Sequence, residues 1–163
     1  SGNYKDLVAG CSGVYITGAG ATGNVVLGNY IGTDVTGTQP LGNGNFGLQV
    51  AAEFSIIKNN VISATLHGDG LVLHGGVATY AGVGSNVVQG NYIGTDFTGT
   101  RSLGNTGPLA FYTGNGISVA VSPGVSKVDF SSGRRNCTRS PTCPKARCDR
   151  LATSRVFFSP VTA

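Results

Sequence analysis

Residues 24–43 read NVVLGNYIGTDVTGTQPLGN, and residues 86–105 read NVVQGNYIGTDFTGTRSLGN. Sixteen of the twenty positions are identical at an offset of 62 residues, so the chain repeats itself. A weaker copy lies midway: Ile56-Ile57-Lys58-Asn59-Asn60-Val61-Ile62-Ser63 aligns with Val25-Val26-Leu27-Gly28-Asn29-Tyr30-Ile31-Gly32 and sets the unit at 31 residues. Periods of this size mark solenoids and arrays. A second motif, glycine-apolar-any-apolar, recurs at Gly13-Val14-Tyr15-Ile16, Gly47-Leu48-Gln49-Val50, Gly70-Leu71-Val72-Leu73 and Gly116-Ile117-Ser118-Val119. Both motifs alternate with the period of a strand, and no unit holds ten residues of helical periodicity.

One such unit cannot bury its own apolar face, so equivalent strands of successive units must stack in parallel. At about 4.8 Å per unit they build a coil around a narrow core. The expected class is all-β, a parallel β-helix (β-solenoid) of about four coils. Its inward residues are Val14, Ile16, Leu48, Val50, Leu71, Leu73, Ile117 and Val119 on one wall, and Val26, Ile57, Val88, Ile31, Ile62 and Ile93 on the others. Asn29, Asn60 and Asn91, with Asn3 as an earlier member, fall at one corner; a buried amide there must be hydrogen-bonded, and a stacked column supplies the partners. Gly28 and Gly90 precede that column where the turn calls for positive φ.

These motifs resemble the right-handed parallel β-helix repeats of the pectin-lyase-like superfamily, asparagine ladder included. They are most similar to the NYIGTD-x-TGT-x-x-LGN repeats of bacterial secreted and cell-surface proteins. The resemblance covers residues 2–122 and implies a right-handed coil outside the cell or on its surface. It is far less specific for activity, because one fold hosts lyases, hydrolases, epimerases and adhesive proteins.

Composition agrees with the coil. Glycine numbers 27 of 163 residues, about 17% against a usual ~7%, and charged residues reach only 11%. Helix bundles and coiled coils need charged faces and avoid glycine, and the glycines lack the three-residue period of collagen. No apolar run spans a bilayer, and with neither methionine nor a signal-peptide pattern the chain reads as an internal or processed piece.

The formal charge of +4 has two sources. Residues 1–126 carry three basic and five acidic side chains, whereas residues 127–163 carry eight basic and two acidic ones. The basic balance therefore belongs to the tail and implies no nucleic-acid partner, which would require a basic folded face or a known motif. We divide the chain into repeats at 1–122 and a basic, Cys- and Arg-rich tail at 123–163, whose composition is that of a disordered extension or an out-of-frame reading. Its Cys137, Cys143 and Cys148 lack the spacing and the histidine of a zinc site.

Candidate chemistry is sparse. Uronate lyases need a base with charge neutralisation, and glycoside hydrolases a pair of carboxylates about 5 to 9.5 Å apart. The outward positions of the first wall are Tyr15, Gln49, Val72 and Ser118, with Leu27/Lys58/Gln89 and Tyr30/Val61/Tyr92 on the other walls. Asp69 and His74, with His67 nearby, are the catalytic candidates. Asp34 and Asp96 are weighed as calcium ligands, but two coils should separate them by about 9.6 Å with Thr65 between. Stapling the amides of a tight turn is the plainer role. Tyr30, Tyr92, Phe111 and Tyr112 are the candidates for stacking on sugars, the last two in a longer loop that either binds or folds back over the stack.

The expected function is a non-catalytic segment of a secreted or surface β-helix protein, a stalk or a carbohydrate-contacting surface that needs no cofactor. The alternative is a piece of a polysaccharide lyase or glycoside hydrolase whose catalytic coils lie elsewhere. The expected partner is a polysaccharide or cell-surface glycan, and the open ends of the stack are free to self-associate or to dock missing domains.

Overall fold

In the computed structural model, described for residues 12–18, 20–74, 85–105, 114–120, 128–131, 136–138 and 147–149, every regular element is a strand. Nine short strands fall in three sets: β1 (Val14–Ile16), β4 (Leu48–Val50) and β7 (Leu71–His74); β2 (Val25–Leu27), β5 (Ile56–Lys58) and β8 (Asn86–Gln89); β3 (Tyr30–Ile31), β6 (Val61–Ile62) and β9 (Tyr92–Ile93). β10 (Ile117–Ala120) and β11 (Val128–Ser131) extend the first two sets, giving sheets ordered β1-β4-β7-β10, β11-β8-β5-β2 and β3-β6-β9. All their pairings are parallel. The chain therefore visits three sheets in turn and returns one strand higher, as a solenoid does.

β11 carries the second sheet past residue 122, where the repeats were expected to end. Farther along, β12 (Asn136–Thr138) pairs antiparallel with β13 (Arg147–Asp149).

The alternation read in the sequence fixes the core. Leu48, Val50, Leu71, Leu73, Ile57 and Ile62 are fully buried, with Val26, Ile31, Val88 and Ile93 beside them. Val14, Ile16, Ile117 and Val119, on the outermost strands of the first sheet, are partly buried against the same cluster. At about 25 cal/mol per Å² of apolar area, each stacked coil stabilises its neighbours by burying what it would otherwise expose.

Two glycine columns make the coil possible. A Cβ on Gly13, Gly47 or Gly70 would lie 2.7, 2.6 or 2.8 Å from Cγ2 of Ile31, Ile62 or Ile93. The isoleucines of the third sheet, together with the glycine carbonyl of the next coil, thus occupy the space a side chain would need, which explains why β1, β4 and β7 are preceded by glycine. At the next corner Gly28 and Gly90 have φ of 68° and 65°, and Asn59, their counterpart in the middle coil, has 55°. Asparagine is among the residues that tolerate this left-handed region.

Polar columns line three corners, not one. The expected column is present: the Asn29 backbone N–H donates to Asn60 Oδ1 at 2.8 Å, and the Asn60 N–H to Asn91 Oδ1 at 2.9 Å. Asn60 Nδ2 also reaches Val26 O and Asn91 Oδ1, both at 2.9 Å. A second column, Asn24, Ser55 and Asn86, joins the Ser55 N–H to Asn86 Oδ1 at 2.7 Å and Asn86 Nδ2 to Ala52 O at 2.9 Å. The third runs through Asn43, Thr65 and Asn105, with the Thr65 N–H on Asn105 Oδ1 at 3.1 Å. Every corner between sheets thereby satisfies backbone amides that no strand ladder can reach.

Candidate functional site

The first sheet presents the outward row Tyr15, Gln49, Val72 and Ser118, held in register on four adjacent strands. Tyr15 is 45% exposed, whereas Val72 is buried between its neighbours. Asp69 and His74 flank this row from the two ends of the β7 segment. The buried Asp69 carboxylate accepts the Asn115 backbone N–H at 2.6 Å and the Ser118 hydroxyl at 2.5 Å, and its backbone carbonyl accepts the Gly47 N–H at 3.1 Å. One residue thus ties three successive coils together.

At the other end, Gln49 Nε2 and His74 Nε2 lie 2.7 Å apart, and the Ser12 hydroxyl donates to Gln49 Oε1 at 3.3 Å. With the amide donating, the imidazole accepts through Nε2 and carries its proton on Nδ1. The Asp69 carboxylate reaches Ser118 on the strand to one side of β7 and the His74 imidazole reaches Gln49 on the strand to the other, so the two side chains serve different neighbouring coils. His67 lies in the corner before Asp69, half-buried, its Nδ1 without a hydrogen-bond partner among the described residues. Among the described residues no three His, Cys, Asp or Glu side chains come together as a metal site.

Asp34 and Asp96 each organise a hairpin that projects from the corner after the third sheet. Asp34 Oδ1 accepts the N–H groups of Thr38 and Gln39 at 2.9 and 3.0 Å, and Oδ2 accepts the Thr36 hydroxyl at 2.6 Å. In the second hairpin Asp96 takes the N–H groups of Thr100 and Arg101 and the Thr98 hydroxyl. The Thr36 hydroxyl and the Gln39 and Thr38 amides hold Asp34 below the usual carboxylate range. Burial pushes Asp96 up, but the Thr98 hydroxyl and the amides of Arg101, Thr100 and Gly99 outweigh it and leave it lowered as well. Donors point at these oxygens, an arrangement that serves a turn and opposes a cation.

The two hairpins also touch. Counting in units of 31 puts Thr65 between the aspartates, but Thr65 stands in register with Asn43 and Asn105, beyond the hairpins. The middle coil passes directly from Ile62 to Thr65, whereas the coils on either side insert a hairpin between the same points. Nothing intervenes, so the Phe97 N–H donates to Gly37 O and Arg101 Nη1 to Thr38 O, each at 3.1 Å.

Those hairpins change the setting of the tyrosine wall. Val61, expected to face outward with Tyr30 and Tyr92, is only 2% exposed. It sits in register between the two tyrosines, and Gly37 and Gly99 of the hairpins lie against their rings. Tyr30 is still 41% exposed, while Tyr92 is half-buried. Phe111 and Tyr112 lie outside the described residues. No protein-family model, curated protein or solved structure matches the chain. Among the described residues no helix is long and apolar enough to cross a membrane.

Proposed function

We propose that this chain is a non-catalytic segment of a right-handed parallel β-helix protein of the pectin-lyase-like kind, secreted or surface-attached in a bacterium, serving as a stalk with a carbohydrate-contacting side. Parallel crossovers are right-handed in about 98% of cases, which favours that hand for the coil. The observation that carries the non-catalytic reading is the use made of the carboxylates. Asp34, Asp69 and Asp96 each accept two or more structural donors, so none is free to act as a base or nucleophile without dismantling a turn or a coil contact. Tyr15 and Tyr30 are, with Phe54 and Phe97, the exposed aromatic faces among the described residues, and the two tyrosines lie on the sheets where a sugar ring could stack. A glycan array tests the contact: binding to a polysaccharide that falls at least tenfold in Tyr15→Ala or Tyr30→Ala supports it, and the absence of any glycan signal from the native chain refutes the carbohydrate part.

A further inference from the structure

The sequence Gly-Asn-Gly occurs twice in the chain, at Gly42-Asn43-Gly44 and Gly114-Asn115-Gly116. An asparagine before glycine is chemically exposed, because glycine has no side chain to shield its amide nitrogen from the asparagine Cγ. The fold treats the two copies oppositely. Asn43 is fully buried in the third polar column, in register with Thr65, whereas Asn115 is exposed just before β10.

The surroundings of Asn115 also favour ring closure onto the next residue. Its Nδ2 donates to the Ser118 hydroxyl at 3.2 Å, so the side chain is folded forward along the chain, toward the peptide nitrogen of Gly116. The Asn115 backbone N–H and that same hydroxyl both donate to the Asp69 carboxylate, which pins the two ends of this short arc. Gly13, Gly47 and Gly70, the earlier members of the glycine series to which Gly116 belongs, donate their N–H to the carbonyls of Phe46, Asp69 and Asn115 at 2.9, 3.1 and 2.9 Å. Among the described residues no carbonyl accepts the Gly116 N–H, so no ladder bond is lost when this nitrogen attacks the side chain.

We propose that Asn115 is a self-modification site, converting to aspartate and isoaspartate and thereby loosening the fourth coil. Base removes the Gly116 N–H proton, the nitrogen bonds to Asn115 Cγ, and Nδ2 takes up a proton and leaves as ammonia. Water then opens the cyclic imide at either carbonyl. The balance is asparagine plus water giving the acid plus ammonia, with no change of oxidation state. The product sets a second carboxylate beside that of Asp69, and in isoaspartate it adds a carbon to the main chain. Both changes strike one joint: the carbonyls of Asn115 and Gly116 accept the N–H groups of Gly70 and Leu71 at 2.9 and 3.0 Å and lead into the pairing of β10 with β7. The inference does not depend on the carbohydrate reading, so a silent glycan array leaves it standing.

The full native chain, kept at mildly alkaline pH and sampled over weeks, tests it by peptide mapping with mass spectrometry. Asn115 should convert at least about tenfold faster than Asn43, which must first open its buried corner. In urea the two rates should converge, since both asparagines lie between glycines. Asn115→Gln should stay free of the acidic form on ion exchange, because its longer side chain closes the ring far more slowly. Hydrogen exchange at the Gly70 and Leu71 amides should quicken in the converted fraction. No conversion at Asn115, equal rates at Asn43 and Asn115 in the native chain, or a gap that persists in urea would overturn the site. Unchanged exchange at Gly70 and Leu71 would overturn its effect on the coil. The comparison of the two asparagines uses the native chain, so it decides the matter even if the glutamine variant does not fold.

Discussion

Asn60 accepts the backbone N–H of Asn29 with its side-chain oxygen while its own backbone N–H donates to the side-chain oxygen of Asn91. The same relation therefore passes through three coils at one corner. Asn60 is fully buried, whereas Asn29 lies on the exposed side of the column, so the two contribute unequally.

Replacing Asn60 with alanine strands the Val26 carbonyl in a buried corner and takes the side-chain acceptor from the Asn29 N–H, while Asn91 Oδ1 keeps the Asn60 backbone N–H. Each buried unsatisfied group costs about 1 to 3 kcal/mol, so Asn60→Ala should lose roughly 2 kcal/mol or more in urea unfolding. Asn29→Ala should lose about 1 kcal/mol. Equal losses at the two positions would show that the column does not work as described.

Acid should weaken the hairpins. Both aspartates are held below their ordinary pKa in the folded chain, so their contribution is fully present above the unfolded value near 3.8 and is lost as pH falls through the folded values. Thermal unfolding followed from neutral pH to about pH 2 should show a decline beginning near pH 4. The double variant Asp34→Asn with Asp96→Asn should start less stable and lose that part of the slope. An unchanged acid profile in the variant would place the sensitivity elsewhere.

Gly70→Ala places a methyl against Asn105 Nδ2, Ile93 Cγ2 and the Gly116 carbonyl. Overpacking of this kind costs about 1 to 3 kcal/mol. Ile93→Leu removes the Cγ2 branch, so the double variant should recover part of the loss, with a coupling of about 0.5 kcal/mol or more in a double-mutant cycle. Strict additivity would mean that isoleucine is not what excludes the side chain.

Much of this was legible in the sequence. The inward residues of the second and third sheets and the Asn29/Asn60/Asn91 column follow from the 31-residue offset, and those of the first sheet from the glycine-apolar-any-apolar motif. The columns led by Asn24 and Asn43 were also within reach: Asn24 and Asn86 open the twenty-residue repeat, and Asn43 and Asn105 close it. Ser55 and Thr65 in the middle coil hide them, since there a backbone amide replaces the side chain as the partner. The hairpin contact escaped for a different reason. A constant offset puts Thr65 between Asp34 and Asp96, while the real middle coil omits the hairpin, and no count along the chain reveals a shortcut in space. The link from Asp69 to Ser118 was likewise illegible, because it crosses to another coil.

The account holds that the polar groups of this chain maintain a coil instead of performing chemistry. Incubating it with pectin, alginate and chitin fragments, with and without calcium, and analysing the products by mass spectrometry tests this most directly. The account predicts no new oligosaccharides under any condition. Turnover that disappears in Asp69→Asn or His74→Ala, with the fold retained, would contradict it.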